Sequence, residues 1–148
     1  YALGLNGIFI NRQGREPSGI VAEADGTSLK LEIEKTLAEL RDPADNAAVV
    51  HATYDADQIY SGDHAGDAPD LVVGYERGYR ASWQTSLGAA PPTLIDDNRQ
   101  HWSGDHCIDP SLVPGVLFTS FRLELDPNSI QDIAALVRSE PANPVRVQ

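Results

Sequence analysis

The chain has 148 residues, a net charge of −11 at pH 7, 41% hydrophobic residues and a single cysteine, Cys107. This length fits one domain whose core needs no disulfide, and the lone cysteine predicts a free thiol or an intermolecular bond. The acidic balance disfavours nucleic acid and anionic membranes as partners, and no apolar run approaches the roughly 20 residues of a membrane-spanning helix.

Three stretches in the first half predict strands by their apolar or loosely alternating residues: 7–11, 19–21 and 47–54. Residues 28–40 predict a helix because apolar side chains recur there at helical spacing. Thr27 or Ser28 is its expected N-cap, and the Asp-Pro pair at 42–43 its expected stop. Residues 55–70 are typical of a polar loop.

Two stretches in the second half also predict strands by their apolar, partly β-branched content: 71–75 and 116–119. Residues 77–87 are ambiguous. Asn128 or Ser129 is expected to cap a short helix, and residues 139–148 to form a frayed tail. Strands interleaved with two helices predict an α/β or α+β structure, with no linker long enough to divide residues 1–148.

The tetrapeptide Ser-Gly-Asp-His occurs twice, at residues 61–64 and 103–106. A carboxylate beside an imidazole in a glycine-containing loop suits metal binding or proton transfer, although Gly and Asp are also common in plain turns. The first copy lies in an acidic loop, so His64 is expected on the solvated surface. The second lies between Trp102 and an apolar strand that would hold it rigidly, so His106 is the better candidate ligand.

The sequence signals for nucleophilic catalysis, for phosphate binding and for a zinc site are weaker. The chain contains no Gly-x-Ser-x-Gly elbow, no glycine-rich phosphate loop and no closed set of zinc ligands. Cys107 directly follows His106, and adjacent side chains usually diverge, which disfavours a Cys–His pair. The segment 75–83 mixes aromatic residues with arginines and could grip a phosphate or a base. The alternative is that Tyr75 and Trp83 are core or rim residues.

Three stretches, in the same order along the chain, resemble one known family. They are Leu-Asn-Gly-Ile-Phe-Ile-Asn-Arg-Gln-Gly-Arg-Glu at 5–16, Pro-Asp-Leu-Val-Val-Gly-Tyr at 69–75 with Gly-Tyr-Arg-Ala-Ser-Trp at 78–83, and Trp-Ser-Gly-Asp-His-Cys-Ile-Asp-Pro-Ser-Leu-Val-Pro-Gly-Val-Leu-Phe at 102–118. Together they are similar to the C-terminal part of the predicted phosphohydrolase/phosphomutase group in the alkaline phosphatase superfamily. Type I phosphodiesterases and nucleotide pyrophosphatases belong to the same superfamily.

The resemblance implies a three-layer α/β/α sandwich with a mixed sheet and two metal ions, usually zinc. A Ser or Thr nucleophile then attacks the phosphorus of a small phosphate-ester substrate. In the family, the histidine of a late Gly-x-His segment is the last ligand of one metal. That role falls on His106, with Asp105 beside it as a hydrogen-bonding neighbour. His64 matches no family ligand.

The family's nucleophile and its other metal ligands belong to segments upstream of Tyr1. We therefore expect the chain to be the C-terminal portion of a phosphoric ester hydrolase, inactive alone and without a catalytic residue of its own. The start at Tyr1, with no methionine, agrees with this expectation. The alternative is a non-catalytic module that binds a ligand or a partner. An acidic cation-binding domain ranks last, because the chain has no Asp-x-Asp-x-Asp-Gly calcium loop.

Overall fold

The computed structural model describes residues 1–99, 101, 107–120 and 129–138. The chain divides into two compact units, Tyr1–Pro114 and Gly115–Gln148. The first unit contains four strands, which are β1 (Ala2–Leu3), β2 (Gly7–Ile8), β3 (Val50–Asp55) and β4 (Leu71–Tyr75). Its α-helices are α1 (Glu23–Ala38), α2 (Ala56–Ile59) and α3 (Trp83–Ser86). In the second unit, the described helix is α4 (Ile130–Arg138).

The four strands form one sheet in the order β1-β2-β4-β3, and every neighbouring pair is antiparallel. Parallel pairing occurs in two isolated bridges, Arg12 with Val21 and Tyr75, at the end of β4, with Ile108. Leu71 and Val73 of β4 are buried to 0% and 2% exposure, because β4 has a strand on each side. The predicted mixture of helices and strands is therefore confirmed.

The predicted strands agree with the observed strands to different degrees. The prediction of 71–75 coincides with β4, and that of 47–54 overlaps β3. Residues 7–11 form only the two-residue β2, and the prediction for 19–21 is reduced to the single bridge at Val21. The predicted strand at 116–119 is wrong, since those residues are in no strand.

Helix α1 begins at Glu23, five residues before the predicted start. The predicted cap at Thr27 or Ser28 is wrong, because Ala22 occupies the cap position and makes no side-chain cap hydrogen bond. Acidic residues in the first turn, Glu23 and Asp25, complement the positive end of the helix instead.

One charged side chain is buried on the face of α1 that packs on β3. Lys30 is 6% exposed and its Nζ donates to Asp55 and Asp57, each at 2.7 Å. Burial alone would lower the pKa of Lys30, but the two carboxylates outweigh burial and raise it. The ion pairs thus hold the start of α2 against α1.

The loop predicted over 55–70 contains two short turns of helix, α2 and a 3₁₀ turn at Ala65–Asp67. The predicted helix near the C-terminus is confirmed as α4, where the Asp132 carboxylate accepts the Ser129 N–H at 3.0 Å. The predicted cap Asn128 and the predicted tail at 139–148 lie outside the described residues. Within the described ranges, no helix has the length and apolar character to cross a membrane.

Candidate functional site

The predicted metal ligand His106 lies outside the described residues, as do Asp105 and the rest of the second Ser-Gly-Asp-His copy. The first copy is described. Its histidine, His64, has a side chain that is 93% exposed and lies 3.4 Å from Asp67. The prediction that this copy lies on the solvated surface is therefore confirmed.

Directly after His106, the backbone is bound to the end of β4. The Tyr75 N–H donates to the Cys107 carbonyl at 3.2 Å, and the Asp109 N–H donates to the Tyr75 carbonyl at 2.9 Å. The Cys107 side chain is buried, with 1% exposure. We call residues 107–112 the docked segment. These two hydrogen bonds attach the docked segment to the sheet at the end of β4.

The carboxylate of Asp109 is fully buried and holds the docked segment in place. It accepts hydrogen bonds from the Tyr54 hydroxyl at 2.7 Å, the Ser111 hydroxyl at 2.6 Å and the Ser111 N–H at 2.9 Å. Burial by itself raises the pKa of Asp109, but the hydrogen bonds from Ser111 and Tyr54 outweigh burial and lower it. Asp109 is therefore an ionised carboxylate at neutral pH, satisfied by donors from β3 and from its own turn.

A glycine on β4 leaves room for this carboxylate. A Cβ atom added to Gly74 would lie 2.0 Å from Oδ2 of Asp109 and 2.9 Å from its Cγ. No side chain larger than hydrogen fits there while the carboxylate keeps its position. The close approach of the Asp109 carboxylate thus explains why a glycine stands in this otherwise apolar, β-branched strand.

A bulge in β3 places a histidine beside the docked segment. Val50 pairs with Tyr75 and Ala52 pairs with Gly74, so His51 is an extra residue with no partner in the ladder. Such a bulge bends a strand locally and changes the direction of a side chain.

His51 contacts polar groups through both ring nitrogens. Its Nδ1 lies 2.8 Å from the Glu76 carboxylate, and its Nε2 lies 3.3 Å from the Ser111 hydroxyl oxygen. The contact with His51 lowers the pKa of Glu76 below its ordinary value. A continuous chain of polar contacts therefore runs from Glu76 through His51 and Ser111 to Asp109.

Serine, histidine and glutamate in this order of contact also occur in hydrolases, where histidine takes the serine proton. Here the Ser111 hydroxyl donates its hydrogen bond to Asp109 at 2.6 Å. This contact is shorter than the 3.3 Å between the Ser111 hydroxyl oxygen and His51. The Ser111 N–H is also bound to Asp109. The arrangement thus holds the docked segment and does not activate Ser111.

A second buried carboxylate, Asp70, lies just before β4. Its side chain is 1% exposed and forms ion pairs with Arg12 and Arg15, the latter at 2.7 Å. It also accepts the Ile10 N–H at 2.6 Å. The hydrogen bond to Asp70 is the largest cause of the raised pKa of Arg15. These contacts bind the segment after β2 to the start of β4.

A cleft of about 380 Å³ lies between residues 12–15 and 65–70, with Glu23 and Asp57 also lining it. Its two arginines already have acidic partners, because Asp70 and Glu16 pair with them. The cleft therefore lacks the unbalanced positive charge with which proteins bind phosphate.

The segment 75–83 is divided between core and surface. Tyr75 packs against the core cluster, whereas Trp83 is 55% exposed and the Arg80 guanidinium lies 5.8 Å from its ring centroid. Arg77 donates to the Leu112 carbonyl at 2.5 Å, which adds a further contact to the docked segment. The core interpretation is confirmed for Tyr75, and phosphate or base binding by this segment stays a prediction.

The described residues do not fit a zinc site, because they contain no group of three or more His, Cys, Asp or Glu side chains placed to hold a metal ion. A catalytic zinc takes about three protein ligands. The metal prediction therefore depends on His106 and on ligands outside the described residues.

Comparisons with protein-family models, with curated proteins and with solved structures give no significant match to this chain.

Sequence reasoning did not single out Tyr54, His51, Glu76 or Ser111. For Ser111 a signal exists, because Asp-Pro-Ser at 109–111 is typical of a capped helical turn, and the Asp109 side chain indeed caps the 3₁₀ turn Pro110–Leu112. The other three come together only through the pairing of β3 with β4.

Proposed function

We propose that the chain is the C-terminal portion of a metal-dependent phosphoric ester hydrolase of the alkaline phosphatase type, acting on a small phosphate ester. In this proposal His106 is one metal ligand. The nucleophile and the other ligands, with zinc as the expected metal, belong to segments that the family places before the region similar to this chain. Zinc, when bound in such an enzyme, stabilises the attacking and leaving oxygens at phosphorus.

One observation carries the proposal, which is the rigid attachment of the residues directly after His106. Cys107 and Asp109 are bonded to the Tyr75 backbone, and both are buried. A ligand must be positioned within about 0.5 Å by a well-packed support, and the docked segment, which follows His106 in the sequence, is well packed. The similarity of residues 102–118 to the family's late Gly-x-His segment is the second support.

The proposal includes the fold. A complete enzyme of this type is a three-layer α/β/α sandwich around a mixed sheet. Unit Tyr1–Pro114 contains one antiparallel sheet with α1 packed on β3, which is one sheet layer and one helix layer. The parallel strands of the mixed sheet and the second helix layer would come from the rest of the enzyme.

The test replaces His106 by Ala in the longest natural reading frame that contains this chain. The matched control is His64→Ala, because His64 stands in an identical Ser-Gly-Asp-His tetrapeptide on the surface. Bound zinc is measured by mass spectrometry, and hydrolysis is measured with 4-nitrophenyl phosphate and bis(4-nitrophenyl) phosphate. We expect His106→Ala to lose zinc and to lower turnover by about 100-fold or more, and His64→Ala to change neither.

Unchanged zinc and turnover in His106→Ala would refute the assignment of His106. A reading frame with neither zinc nor phosphoesterase activity would refute the enzyme proposal and favour the non-catalytic binding module.

A further inference from the structure

His51 joins β3 to the docked segment through its contact with Ser111. The hydrogens available for this contact can be counted. The Ser111 hydroxyl has one proton, and it donates that proton to Asp109 Oδ1 at 2.6 Å. Towards His51 Nε2, at 3.3 Å, the Ser111 oxygen can therefore only accept. Nε2 must carry a hydrogen for this contact to be a hydrogen bond.

The other ring nitrogen of His51, Nδ1, also needs a hydrogen. Nδ1 of His51 lies 2.8 Å from an oxygen of Glu76, whose pKa is lowered by this contact, so that Glu76 is an ionised acceptor at neutral pH. Nδ1 must therefore also carry a hydrogen. A neutral imidazole has one N–H and satisfies one of these two contacts, whereas the imidazolium satisfies both.

We propose that His51 is a pH-dependent contact that fastens the docked segment to the sheet when the imidazole is protonated. Loss of one ring proton removes the hydrogen from Nδ1 or Nε2, and either Glu76 or Ser111 then loses its donor. The inference does not depend on the proposed metal chemistry, because it concerns only residues of β3, the residue after β4 and the docked segment.

The charged groups that face His51 are carboxylates. Glu76 contacts it from the end of β4, and Asp109 acts on it through Ser111 from the docked segment. Both carboxyl groups have pKa values below their ordinary range, so they stay ionised at pH 5.5. Around the same segment, Tyr54 is neutral with a raised pKa, and the Arg77 cation is bound to the Leu112 carbonyl.

The direction of the pH effect follows from the two ring hydrogens that the contacts with Glu76 and Ser111 require. The contact is complete while the ring is protonated, and histidine is the side-chain type whose charge changes between about pH 5 and 8. It is lost as the pH rises through that range. The docked segment should therefore be held more firmly at pH 5.5 than at pH 8.0.

The experiment measures hydrogen exchange of the Asp109 amide, which donates to the Tyr75 carbonyl, by NMR on the full chain at pH 5.5 and 8.0. Rates are corrected for the intrinsic pH dependence of exchange. We expect the protection factor to fall by about two- to fivefold between the two pH values, as for a half-exposed ion pair. In His51→Gln the fall should disappear, and in the control His64→Gln it should persist.

Ser111→Ala supplies a second variant, which keeps His51 and Glu76 but removes the acceptor of Nε2. It should also abolish the pH-dependent fall in protection. A wild-type protein with equal protection at both pH values would overturn the proposal. A fall that persists in His51→Gln or in Ser111→Ala would overturn it as well, because the pH dependence would then come from another group.

Discussion

Substitution of Gly74 by Ala tests whether the docked segment is held by the carboxylate of Asp109. The new Cβ would lie 2.0 Å from Oδ2 and 2.9 Å from Cγ of Asp109, and 3.0 Å from its Cβ. The first two contacts are impossible, so the carboxylate must move. Moving it breaks the hydrogen bonds from Tyr54 and from Ser111.

The cost can be worked out from these contacts. A hydrogen bond to a charged group contributes about 1.5–3 kcal/mol, and a buried donor left without a partner costs a further 1–3 kcal/mol. Tyr54 is only partly buried and Ser111 is exposed, so losses at the lower ends of these ranges are appropriate. We expect Gly74→Ala to lower the free energy of unfolding by about 3–5 kcal/mol, and Asp109→Ala to lower it by a similar amount.

The double variant gives the decisive comparison. In Asp109→Ala the carboxylate is absent, and of the three atoms nearest to the added Cβ only the Cβ of residue 109 remains, at 3.0 Å, a contact that a small shift relieves. Gly74→Ala should then cost roughly 1 kcal/mol or less in that background, a coupling of about 2–3 kcal/mol between the two sites.

The assay is urea unfolding at pH 7, followed by far-ultraviolet circular dichroism. Gly26→Ala is the control, because Gly26 lies inside α1 with nothing within 4 Å of an added Cβ. That variant should be more stable than the wild type by about 1 kcal/mol. Additive costs of Gly74→Ala and Asp109→Ala would refute the reasoning, since they would mean that the two residues do not share one site.

Two further predictions concern other polar contacts. Asp70→Ala should lower the free energy of unfolding by about 3–5 kcal/mol, because it leaves Arg12 and Arg15 without their buried partner; a thermal unfolding curve close to that of the wild type would contradict this. The Tyr79 hydroxyl donates to Asp42 at 2.9 Å, which raises the pKa of Tyr79 to about 12. Its neutral form is favoured by folding, so its contribution to stability is complete below pH 10 and is lost as the pH rises towards 12. Absorbance titration at 295 nm should show a tyrosine ionising near pH 12 that Tyr79→Phe removes, and its persistence in that variant would contradict the assignment.

The fold was predictable where local pattern and tertiary context agree. The sequence Leu-Val-Val-Gly-Tyr is apolar and β-branched, and it forms β4, a strand with a neighbour on each side. The predicted bounds match those of β4. The start of α1 was missed because Ala22 makes no side-chain cap bond and a glycine stands in the second turn, at Gly26. The acidic residues Glu23 and Asp25 were the available signal for the true start.

The error at 116–119 has a different physical origin. Val116 and Phe118 are 82% and 90% exposed, and the segment is in no strand. Apolar, β-branched composition measures how well a residue fits a half-buried pleated surface, and it supplies no neighbouring strand. A strand prediction of this kind therefore identifies a segment suited to pairing, without showing that its partner is present.

The candidate site shows the limit of sequence reasoning more sharply. The capped turn at 109–111 is a local pattern, because Asp109 binds the N–H of a residue only two positions away. His51 and Glu76 are 25 residues apart, and their contact depends on one extra residue in β3. If the register of Ala52–Asp55 continued without that bulge, His51 would pair with Tyr75 instead of being an extra residue in the ladder, and period-two alternation would set its direction. Since a single-residue change of register decides whether His51 reaches the docked segment, its role follows from the strand pairing and not from the residues around it in sequence.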